Sequence, residues 1–222
     1  IRQIGFQEME VVDLVKPITK YAVLLKDKNN IRYELEKMLY FAKEGRPGPV
    51  LMDLPDDLQR AEINPKKLKG FTPPKIKKKK IIFERKFLEL IKKAKRPILI
   101  LGHGVNLSNT KNHVKKLILK TGIPFLPSWA TIDLFPHNHK LNAGTFGVAA
   151  TRYGNFAVQN SDLLISLGCR LNTQITGSNI KSFAPNAKKI IVDIDNNEFK
   201  KNNGLKIDLK INLDLKIFFK KI

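Results

Sequence analysis

The sequence has 222 residues, with 41 Lys and Arg against 20 Asp and Glu, giving a formal net charge of +21. Hydrophobic residues make up 42%, enough for a packed core, and no apolar run reaches the roughly 18 residues of a membrane-spanning helix. The opening "IRQIGFQEME" lacks the basic start, apolar stretch and cleavage site of a secretory signal, and a single cysteine, Cys169, excludes an internal disulfide and fits a reducing, cytoplasmic setting.

In chain order, "IRYELEKMLYFAK" (31–43) carries Ile31, Leu35, Met38, Leu39 and Ala42 at helical spacing, with Gly45 placed to end the helix. "PVLMDLP" then reads as a buried strand bounded by prolines. Helix, short turn and strand form the second half of a parallel β-α-β unit. A lone helix and strand cannot cover both faces of a sheet, so the chain is expected to open inside an α/β domain whose beginning is absent. From residue 62 the composition turns to Pro, Gly and Lys without a period, and residues 64–84 are read as a linker. The run "KIKKKK" (75–80) falls there and is the one cluster in a charge surplus that is otherwise scattered Lys. Without interleaved Arg and aromatics, that surplus reads as compositional drift, so neither nucleic acid nor membrane is expected as a partner.

A second unit, 85–222, begins with the amphipathic "RKFLELIKKA". Next come a strand into a glycine turn, "RPILILGHG", and a helix predicted to start at Ser108 or Asn109 and to stop at Gly122. The strand "IPFLPSW", the short helix "YGNFAVQNS", the strand "DLLISLGCRL" with another glycine turn, and the strand "AKKIIVDID" follow. "LKIDLKI" reads as a last strand before a terminal helix. Continuous apolar strands alternating with helices predict an α/β fold, a doubly wound parallel sheet covered on both faces.

Ligands of such sheets gather where strands end and helices begin. Four strand ends qualify: Gly102-His103-Gly104, Ser128-Trp129-Ala130, Gly168-Cys169-Arg170 and Asp193-Ile194-Asp195. Gly102 and Gly104 suit either a tight strand–helix turn or close backbone approach to a phosphate. Arg170 has the geometry for bidentate phosphate pairing. Asp193 and Asp195 suit either ribose hydroxyls or a turn that caps the next helix, and Trp129 either a stacking platform or a rim position. "GHGVNLS" is not a full G-x-G-x-x-G fingerprint. His137 and His139 lack a third ligand at metal spacing, Cys169 reads as a buried inert thiol, and no Ser lies in a G-x-S-x-G frame. On these residues alone the chain is a binding scaffold with no catalytic constellation.

Two sets of segments go further. "FQEMEVVDLVKPITKYAVLLKD" with "FAKEGRPGPVLMDLPDDLQ" resembles the end of the pyrimidine-binding domain of acetolactate-synthase-like thiamine diphosphate enzymes. "KRPILILGHGV", "TGIPFLPSW", "GNFAVQNSDLLISLGCRL" and "AKKIIVDIDNNEF" resemble that family's central, Rossmann-like domain. The resemblance implies that residues 1–63 end the pyrimidine-binding domain and that 85–222 form the central one. It implies a parent enzyme that decarboxylates a 2-keto acid and joins the fragment to a second carbonyl compound, as in branched-chain amino acid biosynthesis. It further implies thiamine diphosphate and Mg2+ bound by parts of the parent outside this chain, a homo-oligomer, and FAD in the members that carry it. By motif match the flavin contacts would fall on Arg46, Gly102, Gly104, Ser128, Gly147, Gly168, Arg170 and Asp193, and Gln7 of "F-Q-E" would either lie near the substrate or cap a helix. Arg46, held in a stiff Gly-Pro turn, would then reach a pyrophosphate; the alternative is a carboxylate partner. The chain departs from the flavin pattern: "GCRLNTQITG" stands for G-V-R-F-D-D-R-V-T-G, "GVAA" for G-M-H-G, Asp56 for a lysine and "KIN" for C-G-D. Segments such as "VKPITKYAV" resemble homologues from polysaccharide gene clusters. The other reading is a non-catalytic nucleotide-binding or structural α/β module.

Overall fold

The computed structural model describes residues 5, 6, 8–75, 81–200 and 204–222. Gln7 and residues 76–80 of the lysine run lie outside the described residues. The chain divides into two compact units, Ile1–Lys78 and Lys79–Ile222.

In the first unit, α1 (Val11–Val15) leads to β1 (Tyr21–Leu24), α2 (Ile31–Lys43), β2 (Val50–Asp53) and the single turn α3 (Asp56–Gln59). The α2 bounds are those the apolar spacing predicts, whereas β1 falls in a stretch that spacing left unassigned. The two strands pair in parallel from Tyr21 opposite Val50 to Leu24 opposite Asp53. The turn after α2 is fixed from below: Lys20 Nζ donates to Arg46 O at 2.9 Å and also to Glu44 O. Past Pro65 the chain returns to α2. Phe71 packs against the rings of Tyr33 and Tyr40, with centroids 5.6 Å away in both cases, and its N–H donates to Glu36 Oε2 at 2.7 Å. Among the described apolar residues of this unit only Leu25 and Leu68 are buried.

The second unit contains α4 (Glu84–Lys93), β3 (Pro97–Leu101), α5 (Gly104–Leu107), α6 (Lys111–Thr121) and β4 (Phe125–Pro127). It continues through α7 (Arg152–Gln159), β5 (Leu163–Leu167), α8 (Thr173–Thr176), β6 (Lys188–Asp193), β7 (Leu209–Asn212) and α9 (Leu215–Phe219). Its five strands lie in the order β4-β3-β5-β6-β7, every pair parallel. The doubly wound sheet expected from the apolar strands is therefore present. Side chains alternate between its two faces. Leu99, Leu101, Ile165, Leu167, Ile190 and Val192 join one apolar layer, and Ile98, Ile100, Leu164 and Ile191 the other. The first layer is closed by Phe83, Phe87 and Phe218, with ring centroids 5.4–6.1 Å apart.

One boundary differs from the reading of the sequence. Ser108 ends the α5 turn, its hydroxyl donating to Gly104 O at 2.6 Å, and α6 begins only at Lys111. Asn109 takes a left-handed φ of 54°, which a helix cannot contain, so the chain breaks and restarts. The expected terminal helix is capped by Asp214, whose Oδ1 accepts from Lys216 N at 2.7 Å.

Candidate functional site

Because all five strands of the second unit run the same way, their carboxyl ends form one rim. The chain winds from β3 outward to β4, then crosses back to β5 on the other side of β3, so β3 and β5 flank the switch point where such sheets take ligands. Gly102 and Gly104 follow β3 there, and Gly168, Cys169 and Arg170 follow β5.

The two loops touch backbone to backbone. A Cβ on Gly102 would lie 2.2 Å from Cys169 Cα and from Gly168 O, and one on Gly104 would lie 2.7 Å from Gly168 Cα. Gly102 N–H donates to Leu167 O and Gly104 N–H to Gly168 O, both at 3.0 Å, while Gly168 N–H donates to Val192 O at 2.9 Å. The close approach these glycines permit is thus between the loops themselves, and their amide protons are engaged within the protein.

The next strand end behaves likewise. Ser128 N–H donates to Leu101 O at 2.8 Å, and Thr131 Oγ1 reaches the same carbonyl at 2.7 Å. Trp129 beside it is 63% exposed. Gly147 sits in a loop that the sequence did not connect to its anchor, Asn155. The Asn155 amide grips Gly147 from both sides, Oδ1 accepting from its N–H and Nδ2 donating to its O, each at 2.9 Å. Val148 N–H donates to Gln174 O at 2.8 Å, and a Cβ on Gly147 would fall 2.7 Å from that oxygen. With φ of 110° the position demands glycine on both counts.

Side chains supply the charge at this rim. Arg170 Nε lies 3.4 Å from Glu198 Oε1, the arginine largely exposed and the glutamate largely buried. Glu198 was not singled out from the sequence; its pairing crosses 28 positions and leaves no local pattern. Asp193 Oδ1 accepts from Asp195 N, and Asp195 Oδ1 from Asn197 N, both at 2.9 Å, so both carboxylates shape the turn that caps Asn196–Phe199. Cys169 is buried, and burial first, then the nearby Asp193 and Glu198 carboxylates, push its thiol up to about 12, as an inert thiol requires.

Elsewhere, His139 packs between Phe125 and Phe135 and its Nδ1 accepts from Leu141 N at 3.2 Å. Among the described residues no three His, Cys, Asp or Glu side chains are grouped to hold a metal, and no helix is long and apolar enough to cross a membrane. The rim therefore fits a floor and walls for a ligand. Its five main-chain donors at Gly102, Gly104, Ser128, Gly147 and Gly168 do not fit a pyrophosphate cradle, because each already has a protein acceptor.

Comparison with known proteins adds the following. Residues 85–222 match the family described as thiamine pyrophosphate enzyme, central domain. The chain is 37% identical over 226 residues to a probable acetolactate synthase large subunit of Methanococcus aeolicus, covering 98% of this chain and 37% of that protein. It is 34% identical over 210 residues to the acetolactate synthase large subunit of Corynebacterium glutamicum, covering 92% and 33%. Against acetolactate synthase 2, chloroplastic, of Nicotiana tabacum it is 33% identical over 211 residues, covering 90% and 31%. The chain thus spans between 31% and 37% of the length of these curated relatives.

Proposed function

The chain belongs to the thiamine pyrophosphate enzyme family, and we propose that it is the middle portion of an acetolactate-synthase-like member. The observation that carries this reading is the match of residues 85–222 to the family's central domain. In the parent, residues 1–63 end the pyrimidine-binding domain, 64–84 connect, and 85–222 supply the middle domain. The parent decarboxylates a 2-keto acid such as pyruvate and joins the two-carbon unit to a second carbonyl compound, as a cytoplasmic homo-oligomer. When bound, thiamine diphosphate supplies the nucleophilic carbon for that chemistry. Its contacts and those of Mg2+ are assigned to other parts of the parent.

The contribution of this chain's own residues is scaffolding at the rim. In this reading Gly102, Gly104, Ser128, Gly147 and Gly168 form a side-chain-poor floor, and Arg170 and Asp193 are the side chains that would meet a nucleotide. For Arg170 that means exchanging the Glu198 carboxylate for a phosphate. FAD is one occupant of such a slot, and no contact of its pyrophosphate is assigned to the engaged main-chain donors. Those donors favour a second reading, in which the middle domain is a purely structural module.

The test uses the full-length parent with pyruvate, thiamine diphosphate and Mg2+. Acetolactate formation is expected, and failure to consume any 2-keto acid overturns the catalytic reading. The absorption spectrum of the same preparation separates the two roles of the rim: a flavin band supports the slot, and an active enzyme free of flavin and nucleotide supports the structural module.

A further inference from the structure

At the end of the sheet opposite the rim, where β6 and β7 begin, the second unit holds a cavity of about 220 Å³. Lys181, Phe183, Lys188, Lys189, Lys206 and Asp208 are among its lining residues, four lysines to one acidic residue. The acidic residue is already committed: Asp208 Oδ1 lies 3.2 Å from Lys188 Nζ, and Asp208 Oδ2 accepts from Lys189 N at 3.0 Å.

Lys189 is the unusual member. It occupies a β6 position on the same face as Ile191, and it is only 4% exposed. Its ammonium donates to Ala184 O at 2.8 Å and Ala187 O at 3.0 Å, which accounts for two of its three protons. Burying a lysine is costly without a compensating negative charge. Burial holds its ammonium below the usual lysine range, Asp208 opposes that, and Lys206 and Lys188 reinforce it. An anion among these groups would relieve the repulsion. The volume is smaller than the roughly 300–1,000 Å³ of pockets that take drug-sized ligands, so the anion is small. Several point charges in one hollow favour a dianion over a single carboxylate, and lysine binds phosphate in this manner.

We propose that this cavity is a binding site for a small phosphate-bearing anion, held by Lys181, Lys188 and Lys206 at its mouth and by Lys189 on its buried side. The site is independent of the thiamine reading, because it lies at the other end of the strands from the rim.

The experiment titrates inorganic phosphate into the full 222-residue chain, with sodium chloride at matched ionic strength as the control, and follows amide shifts around Ala187 and Lys206 by NMR. Saturable, single-site shifts specific to phosphate are expected, with affinity falling about tenfold in Lys206→Gln and again in Lys181→Gln. Both lysines are exposed, so thermal melts of the variants should match the parent chain. The Lys189 Nζ titration should move to higher pH when phosphate is bound. Shifts that follow ionic strength alone, or saturation unchanged in both variants, overturn the proposal. A parallel titration with glycerol phosphate identifies the source: tighter binding assigns the site to a phosphomonoester, and equal or weaker binding assigns it to free phosphate.

Discussion

The two units are built from the same parallel β-α-β grammar, yet they hold themselves together differently. In Lys79–Ile222 five strands carry two closed apolar layers, with Leu99, Ile100, Leu101, Phe125, Leu126 and Phe218 fully buried. In Ile1–Lys78 two strands pair, Leu25 and Leu68 are the buried apolar residues described, and Ile18 and Leu39 remain 72% and 59% exposed. A two-stranded sheet is marginal on its own, whereas three or more strands packed on helices are not. Identical local signals therefore do not imply equal stability; what differs is the number of layers available to receive each apolar face.

The same substitution made in both units tests this most severely. Gly102→Ala drives a methyl group into the Cys169 and Gly168 backbone, and a loss of about 3 kcal/mol or more in urea unfolding is expected for the second unit. Gly45→Ala, at a φ of 60° with no atom within 4 Å of the new Cβ, should cost only about 1–2 kcal/mol, from backbone strain alone. Equal losses would show that the rim loops are not in close contact.

A gentler comparison uses the aromatics. Phe218→Ala empties the centre of the Phe83–Phe87–Phe218 group and should cost about 3–5 kcal/mol, unfolding the second unit cooperatively. Phe71→Ala removes a half-buried ring from α2 and should cost about half as much or less, read as faster amide exchange confined to α2. Should Phe71→Ala prove the costlier, the first unit has a core that its exposures do not reveal.

The smallest effect is electrostatic. Glu84 accepts from Lys221 Nζ at 2.7 Å and from Phe83 N at 2.8 Å, and these bonds, the lysine first, lower its carboxyl from 4.5 to about 2. A carboxyl depressed on folding stabilises the protein above its unfolded value and ceases to do so as pH falls from 4.5 towards 2. Glu84→Gln should flatten acid destabilisation of the second unit in that window. Glu36, lowered in the same direction by Arg32 and then by the Phe71 N–H, gives the first unit its own acid-sensitive tie, and Glu36→Gln should leave the second unit's profile unchanged. A Glu84→Gln profile parallel to that of the unaltered chain removes the staple from the account.

Much of this architecture is legible residue by residue. The α2 stripe from Ile31 to Ala42 gives the helix its limits, and the apolar runs at 97–101, 163–167 and 188–193 announce buried parallel strands. Four-residue β1 is silent because a lone "YAVL" does not distinguish strand from buried turn. The start of α6 is misread because the left-handed Asn109 depends on how α5 is tied down, not on propensity. At the rim, glycine-ended strands mark the place but not the contact. Gly102 meets Gly168 across 66 positions, Asn155 reaches back to Gly147, and Glu198 pairs with Arg170. Only the folded sheet brings those partners together, so the location of the site is local information and its chemistry is not.

The staple at Lys221 also bears on how the molecule is made. Phe83 and Phe87 leave the ribosome well ahead of Phe218 and Lys221, which complete their layer. At elongation speeds of about 5–20 residues per second, the unit spends roughly ten seconds with one face of its nascent sheet open to solvent. Through that interval it is a client for any chaperone that recognises bare aromatics.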